Sequence, residues 1–395
     1  MKKIMVLGAG RGQVDLIKAI IKYGYEPIIA SVDGNYPGLK MGLHTIDVDI
    51  CDLEAVLNKA KELQIDAVVT ACMDLGIPAL GYICDNMDLN GPNAKAAKIC
   101  ENKYLMKQVF LNEGVNTARY KKISSEDDLW AASKELEYPL ILKAVDLQGS
   151  RGINIVRDPN KLLAAYKSTL SESHEKFCIV EEFIEGEEFG AQAFVADGEI
   201  IFVLPCGDET FLGNTNIPVG HYAPLDISEE MNQLIFEQAE KAIKAVGLNN
   251  CAVNVDFIYK DGTVYVIELT GRIGANCLPQ LTSIYYGVDI YKMIVDVALG
   301  KNPKRYFFEN KKKPTPCYAR MLFSDKAGVL KRINNKNPHC EQIVETSFFV
   351  AKGNKIKQFS DSRDCIGQIV VKSEKIEECK KLINEVCNNI TIELE

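Results

Sequence analysis

The segment VIELTGRIGAN, residues 266–276, places three polar side chains at alternating positions as an apolar strand comes to its end. Glu268, Thr270 and Arg272 would therefore lie on one face of that strand. A buried core face does not accept a carboxylate and a guanidinium two side chains apart unless each has a partner. Either this face is solvated, or a charged ligand lies between the two groups.

The strand before it, CAVNVDFIYK at residues 251–260, contributes a second carboxylate, Asp256. The length of the loop between the two strands decides which face each carboxylate occupies. A two-residue loop, Asp261-Gly262, would place Asp256 and Glu268 on opposite faces of the hairpin.

We predict a three-residue loop, 260–262, because it pairs Tyr259 with Thr263 and puts both acids on one face. Asn254 then lies opposite Glu268. Two carboxylates that share a face suit a hard cation, Mg²⁺ or Mn²⁺, held between the protein and substrate phosphates. A solvated sheet face is the alternative, although both acids follow apolar runs that are typical of buried strands.

Lys143 ends an apolar strand and precedes the glycine-containing segment DLQGSRG, residues 146–152. Gly149, Ser150 and Gly152 can offer backbone amides and a hydroxyl to phosphate oxygens, with the lysine as a point charge beneath them. The segment is not a Walker loop, which requires GxxxxGK[ST]. A hairpin loop over a surface lysine explains these residues equally well when they are considered alone.

The segment VEEFIEGEE, residues 180–188, ends an apolar strand with two glutamates and adds two more after a turn. A purine needs backbone donors and acceptors in an apolar slot, and a ribose needs a carboxylate for its hydroxyls. An acidic surface turn is the alternative, and it is the better explanation of this segment in isolation.

The composition is that of an ordinary globular chain of two or three domains, with 395 residues, 47% hydrophobic and 25% charged. The 13 cysteines form no CxxC pair and have 4 histidines beside them, which favours reduced cysteines used as small apolar residues. A net charge of −8 without a basic stripe argues against nucleic-acid binding. The apolar run at the amino terminus is too short for a signal peptide, and no run of 18 apolar residues occurs, so we expect a cytoplasmic protein without membrane contact.

Residues 1 to about 100 alternate strand and helix, which predicts a parallel sheet with crossover helices. The turn GAGRG after the first strand suggests phosphate binding at a helix amino terminus. Gln13 stands where a dinucleotide fingerprint has its third glycine, whereas Asp33 follows the second strand as an acidic ribose ligand would. The interpretation of the protein as a nucleotide-dependent oxidoreductase depends on this turn alone. A tight structural turn is the favoured explanation.

The rest of the chain supplies the elements that must position these groups. A helix is predicted at 102–115, with Lys103 near its start, and a long helix at 229–247 precedes the acidic hairpin. Residues 205–225 are predicted to form a loop rich in proline and glycine. After Lys301 the composition shifts, and the last residues, about 80 in all, are typical of a small α+β domain.

In this order, the two lysines, the GSxG loop, EEFIEGEE, the aspartate and IELTGR resemble the ATP-grasp superfamily, in register from about residue 90 to 300. The flanking segments are similar to its preATP-grasp domain and to the small C-terminal domain of its amino-acid ligase branch. The resemblance implies a fold of the α/β and α+β classes. Its expected parts are a preATP-grasp domain at 1–100, an ATP-grasp domain at 101–303 and a small α+β domain at 304–395.

The resemblance also implies a role for each residue that matches a nucleotide motif. Lys103 and Lys143 would contact ATP phosphates, and the loop 149–152 would close over them. Lys143 would also act in catalysis, and Glu188 would bind the ribose. The residues that would line the adenine are Glu181, Glu182 and Ile184.

The metal and phosphoryl positions follow in the same way. Asp256 and Glu268 would hold Mg²⁺, and Arg272 would steady the transferred phosphoryl group. Thr270 stands where the family usually has an asparagine, and a hydroxyl is a weaker metal ligand. We therefore expect Asn254 or a water molecule to take that place.

The activity that the resemblance implies is an ATP-dependent carboxylate–amine ligase that works through an acyl phosphate. A carboxylase acting through carboxyphosphate is the nearest alternative, and a degenerate ATP-binding sensor is another. The expected partners are small-molecule carboxylate and amine substrates, and a homodimer is a fair expectation. Three further residues are candidates for substrate contact: Asp74, His221 and Gly274. For His221, a loop position without a chemical role is the favoured interpretation.

Overall fold

The structure is a computed structural model that describes residues 1–147, 151–212 and 216–395. Its first part is a parallel sheet of strands in the order β3-β2-β1-β4, which confirms the predicted alternation of strand and helix. The sequence analysis missed β3, a short edge strand with mostly exposed side chains. The elements are β1 (Lys3–Leu7), α1 (Arg11–Lys22), β2 (Glu26–Ser31), β3 (His44–Asp47), α2 (Leu53–Leu63), β4 (Ala67–Val69), α3 (Ile77–Met87) and α4 (Ala94–Glu101).

The second part is a four-stranded antiparallel sheet in the order β5-β8-β6-β7. It carries Lys143 near the end of β6 and the glutamate pair at the end of β8. The elements are α5 (Lys103–Asn112), β5 (Tyr120–Ile123), α6 (Glu126–Glu135), β6 (Leu140–Ala144), β7 (Ile153–Val156), α7 (Leu162–Glu172) and β8 (Cys178–Glu182).

The third and fourth parts share one eight-stranded sheet. The elements of the third are β9 (Glu187–Ala196), β10 (Glu199–Leu212), β11 (Asn216–Ala223), α8 (Glu229–Val246), β12 (Cys251–Lys260), β13 (Thr263–Thr270), α9 (Leu278–Tyr286), α10 (Ile290–Ala298) and α11 (Lys304–Glu309). Those of the fourth are β14 (Cys317–Leu322), β15 (Gly328–Asn335), β16 (Ile343–Phe348), β17 (Lys355–Ile356), β18 (Gly367–Lys372), α12 (Ile376–Asn388) and β19 (Ile390–Leu394).

The order of the large sheet is β13-β12-β9-β10-β11-β14-β18-β16, so it crosses the predicted domain boundary at residue 303 through the pairing of β11 with β14. A smaller sheet, β17-β15-β19, completes the carboxy-terminal part. The domain limits 1–100, 101–303 and 304–395 stay predictions.

The acidic hairpin has a different loop from the predicted one. Lys260 pairs with Thr263, so the loop has two residues, Asp261 and Gly262, both with positive φ (48° and 81°). The predicted three-residue loop is therefore wrong. A β-bulge at Ile267 shifts the register between Asp256 and Phe257, and this extra residue still sets Asp256 opposite Glu268.

As a result of the same shift, Asn254 lies opposite Thr270 and not opposite Glu268 as predicted. The odd-numbered residues of β12, Val253, Val255 and Phe257, pack in a core with α8. Each fully buried apolar side chain of this kind contributes about 1.5–3 kcal/mol. Asn254 and Asp256 must then face the other side of the sheet, away from α8.

Residues 205–225 are largely strand, which corrects the predicted loop. β10 continues to Leu212 and β11 begins at Asn216, with His221 paired to Asp208 across the ladder. Pro205, Gly207 and Pro218 gave the segment the composition of a loop, but all three lie in paired strands, and a register shift adjoins Pro218.

All 13 cysteines lie in the described part of the chain and are free thiols, most of them buried. Within the described ranges, no helix has the length and apolar content that a membrane span requires.

Candidate active site

Asp256 and Glu268 face each other across β12 and β13. Burial, and then the charges of Glu268 and Asp208, raise the pKa of Asp256 to about 7. Two carboxylates held this close without a cation repel each other, and a divalent cation would relieve that repulsion. The pair therefore fits Mg²⁺ by both its chemistry and its charge.

The two acids do not complete a coordination shell between them. In the described residues no group of three or more His, Cys, Asp or Glu side chains is arranged to hold a metal ion. Mg²⁺ commonly binds one or two carboxylates together with water and substrate phosphates. A cation at this pair would therefore need further ligands, such as water or a substrate phosphate.

Lys103 stands in the first turn of α5, where Asn102 caps the helix by accepting hydrogen bonds from the amides of Tyr104 and Leu105. Its Nζ donates to the carbonyl of Leu147 (2.6 Å) and lies 3.4 Å from Glu268 Oε2. The capped helix therefore delivers a positive charge to the edge of the carboxylate pair.

Lys143 lies in a buried group of charges that the sequence analysis did not foresee. Its Nζ is 3.1 Å from Glu181 Oε2, and the Nζ of Lys107 is 3.0 Å from the same oxygen. Burial alone would raise the pKa of the Glu181 carboxyl, but the two lysines hold it below its ordinary value. The group, hereafter the lysine triad, thus has two cations and one carboxylate.

Lys107 was missed, although it follows Lys103 by four residues and shares its helix face. Its Nζ also donates to Thr117 Oγ1 (2.6 Å), whose hydroxyl donates to the carbonyl of Val266 on β13. The lysine triad is therefore tied to the strand that carries Glu268.

The predicted phosphate loop lies only partly within the described residues. Gly149 and Ser150 lie outside the described residues. Gly152 has a φ of 63°, and its amide donates to Glu172 Oε2 at 3.0 Å. That amide is already occupied, so a phosphate contact by Gly152 stays a prediction and would require Glu172 to release it.

A cleft of about 630 Å³ opens beside these residues. Ile184 and Glu188 lie in it as predicted for a nucleotide site, and burial, with the charge of Asp208, raises the pKa of Glu188. The lining residues are Arg157, Phe183, Ile184, Glu185, Gly186, Glu188, Asp208, Thr210 and Pro218.

The other two residues predicted to line the adenine direct their side chains elsewhere. Glu181 belongs to the lysine triad, and Glu182 accepts hydrogen bonds from Arg119 and from the amide of Glu137. A contact between adenine and the backbone of these two residues stays a prediction.

Asp208 was also missed, because its segment was interpreted as a loop. It lines the cleft, and its Oδ1 lies 2.6 Å from Nδ1 of the buried His221. Residues 206–210 read CGDET and show no alternation of apolar and polar side chains, so no strand signal marks them. His221 thus holds a carboxylate of the cleft.

Arg272 lies two residues beyond β13 and is paired with Asp74 of the amino-terminal part. Its Nε and Nη2 donate to Asp74 Oδ1 and Oδ2, both at 2.7 Å. Burial alone would raise the pKa of Asp74, but Arg272 and a hydrogen bond from Thr270 hold it below its ordinary value. The structure therefore brings the candidate residues Asp74, Thr270 and Arg272 together, with Arg272 paired to Asp74 and Glu268 beside Lys103.

Gly274 lies among the polar groups behind the metal carboxylates. Its amide donates to Gln192 Oε1 (2.8 Å), and Gln192 Nε2 donates to Asn254 Oδ1 (2.7 Å). Asn254 Nδ2 in turn donates to Asp256 Oδ1 (3.1 Å). In this arrangement the oxygen of Asn254 is occupied, so its predicted place as a metal ligand would require that contact to break.

The side chain of Gln13 occupies the space beside the turn GAGRG. The side-chain oxygen of Gln13 lies 3.1 Å from the point where a Cβ on Gly10 would stand, and Gln13 is buried. The turn is thus packed by a side chain where the dinucleotide fingerprint has a glycine.

Comparison with known proteins agrees with this site. The family model described as "Carbamoyl-phosphate synthase L chain, ATP binding domain" matches residues 102–305, just over half of the chain. The model described as "L-amino acid ligase C-terminal domain 2" matches residues 320–395.

The crystal structure of phosphoribosylglycinamide synthetase from Anaerococcus prevotii is 43% identical, has a TM-score of 0.89 and covers 100% of both chains. The formate-dependent phosphoribosylglycinamide formyltransferase of Prochlorococcus marinus subsp. pastoris is 29% identical over 80% of this chain and 84% of the relative. Alanine–anticapsin ligase of Bacillus subtilis is 28% identical over 63% of this chain and 57% of the relative.

These similarities cover the nucleotide cleft, the facing carboxylates and the carboxy-terminal part together. They agree with the resemblance on which the residue roles were based, and they extend over the entire length of the chain. The chain therefore belongs to the ATP-grasp superfamily and is an ATP-dependent ligase that forms C–N bonds.

Proposed function

We propose that the protein joins an amino acid or another small carboxylate to an amine through an acyl phosphate, releasing ADP and phosphate. The observation that carries this proposal is the facing pair Asp256 and Glu268, with Lys103 beside it and Arg272 just beyond the strand end. This set can neutralise the charge that builds up when a phosphoryl group moves from ATP to a carboxylate.

Asp256 and Glu268 would hold Mg²⁺, which when bound supplies charge neutralisation between the ATP phosphates. Mn²⁺ fits the same oxygen ligands. Thr270 offers a hydroxyl near this pair, but its hydrogen bond goes to Asp74. One metal ion is therefore better supported by the side chains than two.

Side chains of the protein would carry out the remaining steps. Ile184 and Glu188 in the cleft would bind adenine and ribose, and Lys103 and Lys143 would bind the phosphates. Arg272 would orient the phosphoryl group in line with the attacking carboxylate. The amine would then displace phosphate from the acyl phosphate, while the closed site keeps water away.

Asp74 is the candidate for recognising the amine, because it is a largely buried carboxylate beside Arg272. Gly274 lies on the same side and stays a candidate for substrate contact. His221 reaches the site through Asp208, so its proposed role is to hold that carboxylate.

The names of the relatives suggest two candidate pairs of substrates. Alanine–anticapsin ligase is named for alanine and anticapsin, and the carboxy-terminal match is to an L-amino acid ligase domain. Similarity along the full chain to a phosphoribosylglycinamide synthetase supports a sugar-phosphate amine with glycine as a second candidate pair. We propose small-molecule substrates in either case, in a cytoplasmic protein that forms a homodimer.

The experiment is a measurement of phosphate release from ATP and Mg²⁺ across amino acids, other carboxylates, amines and bicarbonate, singly and in pairs. We expect release that requires one carboxylate and one amine, with a condensed product in the mass spectrum. Glu268→Ala is the blank, because it removes one metal carboxylate.

Two other results would overturn the proposal. Release with bicarbonate alone would indicate a carboxylase. ATP binding without phosphate release under any pair would indicate a nucleotide sensor.

A further inference from the structure

Gln192 on β9 is a fully buried polar residue for which the proposed chemistry provides no role. It has 0% exposure and lies opposite Asn254 in the ladder between β9 and β12. Both ends of its amide are engaged, the oxygen by the amide of Gly274 and the nitrogen by the oxygen of Asn254. A buried amide with two matched partners is costly to disturb.

The direction of this hydrogen-bond chain is fixed at one end. The backbone N–H of Gly274 can only donate, so the oxygen of Gln192 must face it. The NH₂ group of Gln192 must then face Asn254, whose oxygen accepts. The NH₂ group of Asn254 is left to face Asp256, to which it donates at 3.1 Å.

The close packing around Gly274 helps to keep this direction. A Cβ at this position would stand 2.7 Å from Asn254 Oδ1 and 3.0 Å from Gln192 Nε2, so only glycine lets its amide approach. The backbone after Arg272 is thereby linked to Asp256 by two side-chain amides.

We propose that Gln192 is a positioning residue for the metal carboxylate Asp256, and that it acts by making Asn254 a donor to Asp256 and not a metal ligand. The inference rests on the proposed metal site. It assigns Gln192 a role in metal binding without contact to the metal. Partners that orient a ligating group in this way typically change metal affinity by about 10–100-fold when they are removed.

The test measures Mn²⁺ affinity by electron paramagnetic resonance in the presence of ADP. Gln192→Leu removes the series of hydrogen bonds from Gly274 to Asp256, and we expect Mn²⁺ to bind about 10–100-fold more weakly. Gln192→Glu keeps the size of the side chain but offers Asn254 only an acceptor. Where this glutamate is ionised, Asn254 must turn its NH₂ group away from Asp256, so we expect a similar loss at high pH, with circular dichroism to check that the variant is folded.

Asn254→Leu, alone and combined with Gln192→Leu, tests whether Gln192 acts through Asn254. The double variant should bind Mn²⁺ within about twofold of Asn254→Leu alone, because the second substitution removes a contact that no longer exists. The matched control is Gln238→Leu, a buried glutamine on α8 that accepts from the amide of Asn116. It should lower the melting temperature and leave the Mn²⁺ affinity unchanged.

Wild-type Mn²⁺ affinity in both Gln192 variants would overturn the inference, as would additive losses in the double variant. Asp256→Asn separates this failure from that of the proposed metal site. If Asp256→Asn also binds Mn²⁺ as the wild type does, then the metal assignment itself is wrong.

Discussion

The lysine triad illustrates how single charges determine the nucleotide site. Glu181 is 2% exposed and its Oε2 meets two ammonium groups, while its Oε1 has no hydrogen-bond partner in the described structure. One carboxylate neutralises one lysine, so the triad has a net positive charge of one. That surplus charge is what Lys143 can direct toward a phosphate.

Lys107→Met should destabilise the protein by about 2 kcal/mol, because Glu181 loses one of its two buried ammonium partners and Thr117 Oγ1 loses a buried donor, although Lys143 still compensates the Glu181 charge. Urea denaturation provides the measurement. Lys121→Met is the matched control, since the pair of Lys121 with Glu135 is exposed to solvent and should contribute little to stability. Equal losses in the two variants would contradict the structural role of Lys107.

At this scale the sequence indicated the candidate ligands but not the residues that support them. Asp256, Glu268 and Arg272 could be found because charged residues at the ends of apolar strands are unusual. Lys107 and Gln192 could not, because a lysine on a helix or a glutamine on a strand is ordinary until its partner is known. Those partners come from segments far apart in the sequence.

Among the elements, the hairpin of β12 and β13 is the most instructive. The turn residues Asp261 and Gly262 favour the two-residue loop that the structure has. That loop alone would have separated the two acids, and the bulge at Ile267 restores their alignment. A bulge depends on packing between strands, so the sequence of one hairpin does not indicate it.

The cap of α5 gives an element-scale prediction. Asn102→Ala should cost about 1 kcal/mol of stability, because two amides of the first turn lose their acceptor. It should also raise the KM for ATP, since Lys103 stands in that same turn.

Ser125→Ala provides the comparison, because Ser125 caps α6 by accepting from the amide of Asp128, away from the site. It should cost a similar amount of stability without changing the KM for ATP. If the two variants gave the same KM, the cap would not position Lys103.

On the scale of the whole molecule, one sheet passes through two of the predicted domains. Three features could be predicted from the sequence: the alternation of strand and helix, the ATP-grasp motifs and the carboxy-terminal α+β composition. The junction was not, because the pairing of β11 with β14 joins strands separated by the whole of the acidic hairpin and four helices. The prolines and lysines after Lys301 look like a linker, yet the strands on either side meet.

A chain of residues 1–303 should therefore associate or aggregate, because β11 would become an unpaired edge strand. Size-exclusion chromatography with light scattering measures this. Adding residues 304–395 as a separate polypeptide should restore a soluble species by covering that edge. A monomeric 1–303 chain with the melting temperature of the full protein would contradict the prediction.

The pairing of Arg272 with Asp74 has a consequence for the hydrolysis of ATP in the absence of an amine substrate. An arginine that makes two 2.7 Å bonds to a largely buried carboxylate is not free to attract a phosphoryl group. Under the proposed function it would become available by exchange, when a bound substrate offers Asp74 another cation. A protonated amine on the substrate would be such a cation, and it would attack the acyl phosphate after it has lost its proton. Hydrolysis by water alone brings no such cation and would leave Arg272 where it is.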